Sequence, residues 1–187
     1  MSEPAIEIRP NATYQDVLDA PAGMVAELVG GALHLQPRPR ARHAVAASRL
    51  GVKLGGPFDL GDGGPGGWWI IDEPELHLGT DVLVPDLAGW RRARLQELPD
   101  AAFTIAPDWV GEVLSPRTRE FDLTEKRDRY AAAGVAHLWL VDPDARTLEA
   151  FALEGGRWVL LRARRGEAEV ALPPFEAVPF ALAALWA

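Results

Sequence analysis

The sequence contains no cysteine among its 187 residues, which excludes disulfides and thiolate metal sites and fits a reducing interior. Lysine is nearly absent as well: of nineteen basic residues only Lys53 and Lys126 are lysine, and the rest are arginine. Arginine stays charged at any ordinary pH and binds as a planar fork, whereas lysine is a compact charge with a movable pKa. In a chain that uses arginine so freely, a surviving lysine can mark a place where the fork does not serve. Chance survival is the alternative, and for Lys53 the better one. Positive charge is in deficit, with a formal net charge of −8, which argues against a protein that coats nucleic acid electrostatically. It leaves room for a nucleic-acid enzyme, because metal-binding carboxylates add negative charge that bound cations cancel. Long apolar runs are missing too: none approaches the ~20 residues that a membrane-spanning helix requires. The opening MSEPAIEIRP has neither a basic start nor an apolar signal core, so we expect a cytoplasmic protein with no membrane partner.

What is present is the composition of a globular protein, 48% hydrophobic and 25% charged, in a length that suits one domain over residues 1–187. Thr13 followed three residues later by Asp16 predicts a short helix running to about Asp19. Two apolar runs around Gly30-Gly31 predict a hairpin over 24–37. A helix is expected over 40–56, closed by Gly55-Gly56, and then a glycine-rich loop over 57–67. GWWIIDEP, ELHLGTDVLVPDLAGW and APDWVGEVL read as strands, with 91–106 irregular. A second helix is expected over 121–135, capped by Asp122 and closed by Gly134. The buried strand AHLWLVDP, a hairpin turning at Gly155-Gly156 and an apolar tail carrying a short helix complete the chain. This order predicts an α/β fold around a mixed β-sheet flanked by helices, with additional hairpin strands.

The run WVGEVL carries a carboxylate, Glu112, inside what reads as a buried strand. Burying even a neutral polar group without a partner costs about 2–7 kcal/mol, so Glu112 needs one. Asp86 closes another strand, in DVLVPD. Two carboxylates at neighbouring strand ends can share a hard divalent cation, which takes oxygen ligands and keeps several waters. Such a cation orients a phosphate and acidifies a bound water, and a nearby ammonium completes the set needed for phosphodiester hydrolysis. Singly, each acid has a plainer reading: Asp86 caps the turn after its strand, and Glu112 pairs with a core arginine. Asp122 and Lys126, four apart on a helix, also read as a surface ion pair worth roughly 0.3–0.5 kcal/mol.

Pro85-Asp86 followed by Glu112 on an adjacent strand resembles the signature of the PD-(D/E)XK nuclease superfamily, except that Leu114 stands at the lysine position. The longer segment GEVLSPRTREFDLTEKRDRYAAAGVAHLWLVDP resembles one bacterial branch, the Uma-two family of restriction-endonuclease-like proteins, and AELVGGALHL and RPRARHAVAASRL resemble its other conserved stretches. The resemblance spans most of residues 13–155. It implies a restriction-endonuclease-like core and a Mg²⁺- or Mn²⁺-dependent endonuclease acting on DNA, with the missing lysine supplied by Lys126 from the following helix. Asp86, Glu112 and the Val113 carbonyl are then the expected metal ligands, and Lys126 positions the attacking water. Glu27, in the hairpin, is a third acidic candidate that holds water or orients Lys126; an edge-facing glutamate is the alternative. The resemblance also places His43 near the active site, where it can touch phosphate, whereas helical spacing alone favours a core histidine.

Residues 37–58 hold five basic residues and no acid, including Arg42 and Arg49, and form one candidate surface for a phosphate backbone; a solvated helix face is the alternative. Arg117 and Arg119 form a second. Trp68 and Trp69 either stack on bases or divide between core and interface. The competing function is a non-catalytic nucleic-acid or protein interaction module on the same fold. A homodimer joined through the apolar tail or the tryptophan strands is compatible with either.

Overall fold

The computed structural model describes residues 7–186. Its strands form two main sheets. In the first, β1 (Glu7–Pro10), β2 (Met24–Val29), β3 (Ala32–Pro37), β5 (Leu76–Leu78) and β6 (Asp81–Leu83) are arranged β1-β3-β2-β6-β5, all antiparallel. The β2–β3 hairpin turns at Gly30 and Gly31, whose φ of 59° and 77° lie in the left-handed region that glycine enters without strain.

The second sheet holds β4 (Trp68–Asp72), β7 (Leu87–Arg91), β8 (Trp109–Val113), β9 (His137–Asp142), β10 (Thr147–Glu154) and β11 (Arg157–Arg165), in the order β11-β10-β9-β8-β7-β4. This is the expected mixed sheet: β8 and β9 are parallel and the other pairs antiparallel. Parallel neighbours need a crossover, and the helical segment 119–132 supplies it. Of the expected hairpins, the one over 24–37 lies in the first sheet as β2–β3, and the one turning at Gly155-Gly156 belongs to the mixed sheet as β10–β11. A short ribbon, β12 (Glu169–Val170) with β13 (Phe180–Ala181), sits near the tail.

α1 (Tyr14–Leu18) is capped by Thr13 and Asp16 as the sequence predicts. α2 (Ala41–Leu54) does not end at Gly55-Gly56: the chain continues as a π-helical turn, Gly55–Leu60, which buries Phe58 and stops at Gly61. Pro57 has no amide to donate along an α-helix, and the wider turn accommodates it. The crossover is also composite, with α3 (Arg119–Phe121), a π-helical turn Asp122–Lys126, and α4 (Arg127–Ala132). It begins three residues before the expected cap, so Asp122 lies inside the helix and is buried. The tail forms a 3₁₀ turn, Leu182–Leu185, packed by Leu182 and Leu185.

Two apolar clusters lie on opposite faces of the mixed sheet. One joins α2 and the tail to Trp68, Trp109 and Trp139 around Phe175, so Trp68 is spent on the core, with Trp69 packed against the opposite cluster. The other gathers Trp90, Val110, Leu114, Phe121, Tyr130, Leu138 and Phe151 beneath the crossover helix. Leu114, at the position where the superfamily carries lysine, is thus a core residue. Val84-Pro85-Asp86 is the link by which the chain passes from β6 in the first sheet to β7 in the second.

Candidate active site

Asp86 stands at that link, beside the end of β8. Its Oδ2 accepts the Val113 amide at 2.7 Å, a bond that fixes the carboxylate against the strand carrying Glu112. Its Oδ1 lies 3.2 Å from His43 Nε2, at the start of α2. Asp86 therefore caps no turn through its side chain; it spans from one strand to the next.

Glu112 is only 2% exposed, and its partner is lysine rather than arginine. Lys126 Nζ lies 2.8 Å from Glu112 Oε1, 3.2 Å from Glu27 Oε1 and 3.8 Å from Asp122 Oδ1, and donates to the Val84 carbonyl at 3.3 Å. Lys126 and Asp122 are both buried, so the surface ion pair that their spacing also suggested is not what forms. Residues four apart share a helix face, and this face is turned inward, which carries Asp122 and Lys126 to the same buried place. Glu27, wholly buried on β2, accepts the Val84 amide on Oε1 at 2.8 Å and the Gln36 amide on Oε2 at 2.9 Å. Both of its oxygens are engaged, so it faces inward and orients Lys126. The ammonium ties the first sheet, through Glu27, to the second, through Glu112.

The electrostatics are those of crowded carboxylates. Burial pushes the Glu112 carboxyl up to about 8, against the opposing pull of Lys126 and with the support of Asp122 and Asp86. Burial likewise raises Asp122 to about 6, although Lys126 and the Thr118 hydroxyl bond, 2.6 Å, favour its charged form. Lys126 is held well above the usual lysine range: burial would lower it, but Glu112 and Glu27 outweigh burial, so it remains an ammonium. His43 is raised, with Asp86 prevailing over burial.

The site opens into a cleft whose lining includes Asp86, Glu112, Asp122, Lys126 and His43. Its walls are the β3–α2 link, with Arg38 and Arg40, and the β8–α3 link, with Arg117. Among the described residues no group of three or more His, Asp or Glu side chains is arranged to hold a metal ion by itself. The donor set nevertheless suits a hard cation, because Asp86 and Glu112 offer oxygen and three carboxylates surround one ammonium. Magnesium is typically held by one or two carboxylates, with waters and substrate phosphate completing its shell.

A family model described as "Putative restriction endonuclease", Uma2, matches residues 12–184. The chain belongs to the Uma2 family. A crystal structure titled a putative nuclease belonging to DUF820, from Anabaena variabilis, superposes with a TM-score of 0.69 at 21% identity, covering 93% of this chain and 97% of that one. At that identity the likeness shows the fold. No curated protein matches the chain.

The cationic side chains of this Uma2 chain divide. Arg117 lines the cleft. Arg42 reaches Asp144 at 3.3 Å, Arg49 bonds the Ala184 and Trp186 carbonyls of the tail, and Arg119 pairs with Asp142; none of these three lines the cleft. His43 faces Asp86 and lines the cleft. Sequence reasoning missed Arg38 and Arg40 as separate wall residues, Asp122 as a buried member, and Tyr130, whose hydroxyl donates to Glu112 Oε1 at 2.6 Å. A signal for Tyr130 exists, since it lies four residues after Lys126 and so shares its helix face.

Proposed function

We propose that the chain is a divalent-metal-dependent endonuclease that hydrolyses phosphodiester bonds of DNA, one Uma2 unit acting through Asp86, Glu112 and Lys126. The observation that carries this reading is the convergence of these three side chains, from three separate elements, on the floor of one cleft walled by arginines.

Asp86, Glu112 and the Val113 carbonyl would hold the cation. When bound, Mg²⁺ or Mn²⁺ lowers the pKa of a water and offsets charge on the phosphate. Lys126 supplies fixed positive charge at Glu112, and Glu27 with Gln36 prevents it from swinging away. His43 Nε2, 3.2 Å from Asp86 Oδ1, orients that carboxylate at the edge of the cleft, and its other ring nitrogen is buried. Arg38, Arg40 and Arg117 on the walls receive the flanking phosphates, and such interactions position the backbone without reading sequence. Hydrolysis adds water across one P–O bond: the water oxygen bonds phosphorus, and the departing oxygen leaves with a proton.

One observation favours the competing interaction module. The Lys126 ammonium has three N–H groups and three close protein acceptors, Glu112, Glu27 and the Val84 carbonyl, which is also how a purely structural tie looks. Plasmid nicking separates the two. Purified protein with Mn²⁺ or Mg²⁺ converts supercoiled plasmid to open circles, and folded Asp86→Asn, which keeps the shape of the side chain, does not. Absence of nicking by wild type across metals, DNA forms and salt concentrations would favour the module.

A further inference from the structure

Glu112 has two oxygens, and the protein treats them unequally. Oε1 receives the Lys126 ammonium at 2.8 Å and the Tyr130 hydroxyl at 2.6 Å, while Oε2 has only the Asp86 amide at a long 3.4 Å. Building on the metal-nuclease reading above, we propose that Tyr130 is a positioning residue: its hydroxyl, with Lys126, occupies Glu112 Oε1 and so presents Oε2 to the cleft as the oxygen that takes a divalent cation.

Lysine alone does not fix a carboxylate. An ammonium is a point charge with rotatable donors and pairs almost equally well with either oxygen of a carboxylate that turns. A second donor arriving at the same oxygen removes that freedom. Tyr130 suits the task for three reasons. It lies four residues after Lys126, so α4 delivers both groups from one face. Its ring is completely buried among Phe121, Leu138 and Leu140, which leaves the hydroxyl little room to move. A phenol hydroxyl is a neutral donor, unlike the ammonium beside it. Being neutral, it orients Glu112 without cancelling the charge that a cation needs, whereas a second cationic partner would compete with the metal. Losing a group that holds a metal ligand from behind typically lowers metal affinity or activity by roughly 10–100-fold.

The plainer alternative is that a buried tyrosine hydroxyl has found the nearest acceptor. That role would change stability and leave cation affinity alone. The test is calorimetric titration of Mn²⁺ into the full chain without DNA, for wild type, Tyr130→Phe, Asp86→Asn and Val135→Ala. Phenylalanine keeps the ring, and Val135→Ala loosens the same apolar cluster without touching Glu112. We expect Tyr130→Phe to weaken Mn²⁺ binding about tenfold or more, Val135→Ala to leave it within twofold while lowering the melting temperature, and Asp86→Asn to abolish it. Wild-type affinity in Tyr130→Phe, with binding lost in Asp86→Asn, would overturn the role of Tyr130 alone. Equal weakening in Tyr130→Phe and Val135→Ala would assign the effect to packing and overturn it too. A wild type that binds no Mn²⁺ at millimolar concentration would remove the metal reading itself, and the proposal with it.

Discussion

Three carboxylates, from Glu27, Glu112 and Asp122, crowd one lysine, and Asp86 lies beside Glu112. The metal-free site therefore takes up protons readily, and the sign of the resulting pH dependence can be worked out. Glu112, at about 8, and Asp122, at about 6, both sit above their ordinary values of 4.5 and 3.8. Between those limits the folded state binds more protons than the unfolded chain, so stability falls as pH rises from about 4 to 8. His43, raised above 6.5, acts in the same direction: its contribution is present at low pH and is lost as pH rises through its folded value. In EDTA the melting temperature should be several degrees lower at pH 8.5 than at pH 5.5, given roughly 2–4 °C per kcal/mol for a chain of this size. Added Mn²⁺ should restore most of the loss at pH 8.5. A metal-free protein more stable at pH 8.5 would contradict the charge balance described above. Much of this site was legible in the sequence. Glu112 breaks an apolar run and so demands a partner, and Lys126 is one of two lysines in an arginine-rich chain. Tyr130 and Asp122 were not, because a tyrosine in a helix reads as core and an aspartate near a helix start reads as a cap.

At the scale of elements, β8 determines how accurately the site is placed. The Trp109 indole folds back across Gly111, where an added Cβ would lie 2.7 Å from two ring atoms. Glu112 follows directly, so any displacement of the strand at Gly111 moves the carboxylate. Gly111→Ala should destabilise the protein by about 1–3 kcal/mol, the usual range for overpacking, with the midpoint of urea unfolding as the measure. An unchanged midpoint would show that Trp109 can move aside at no cost. Elements with local signatures were legible: the hairpins at Gly30-Gly31 and Gly155-Gly156 form where glycine pairs demand them. The two π turns were not, because one residue more or less per turn depends on what packs against the helix, whether Phe58 in the core or Asp122 and Lys126 in the site.

For the whole molecule, the net charge of −8 makes the basic residues informative by position. Arg49 bonds the tail and Arg119 pairs with Asp142, both away from the cleft; Arg38, paired with Glu73, lines the cleft together with Arg40 and Arg117. Binding of a fluorescent DNA duplex, measured by anisotropy in Ca²⁺ or without metal, should weaken when Arg40 or Arg117 becomes alanine. The slope of log K against log salt should become shallower by about 0.9 for each phosphate that is no longer neutralised. Arg49→Ala should leave both affinity and slope unchanged. The reverse pattern would move the DNA path from the cleft to the outer face of α2. The basic stretch 37–58 pointed to this region in the sequence, but linear spacing could not separate the arginines of the wall from those committed to the tail. The division of strands between two sheets was likewise beyond it, since that depends on pairings such as Leu28 with Val82, far apart in the chain.

The most direct measurement is anomalous scattering at the manganese edge from crystals of the wild-type chain grown with Mn²⁺. A peak about 2.1 Å from Asp86 Oδ1, Glu112 Oε2 and the Val113 carbonyl, a typical distance for a hard cation on oxygen, is what the account predicts. A saturating Mn²⁺ concentration that leaves no peak between Asp86 and Glu112, or places one elsewhere in the cleft, would contradict it.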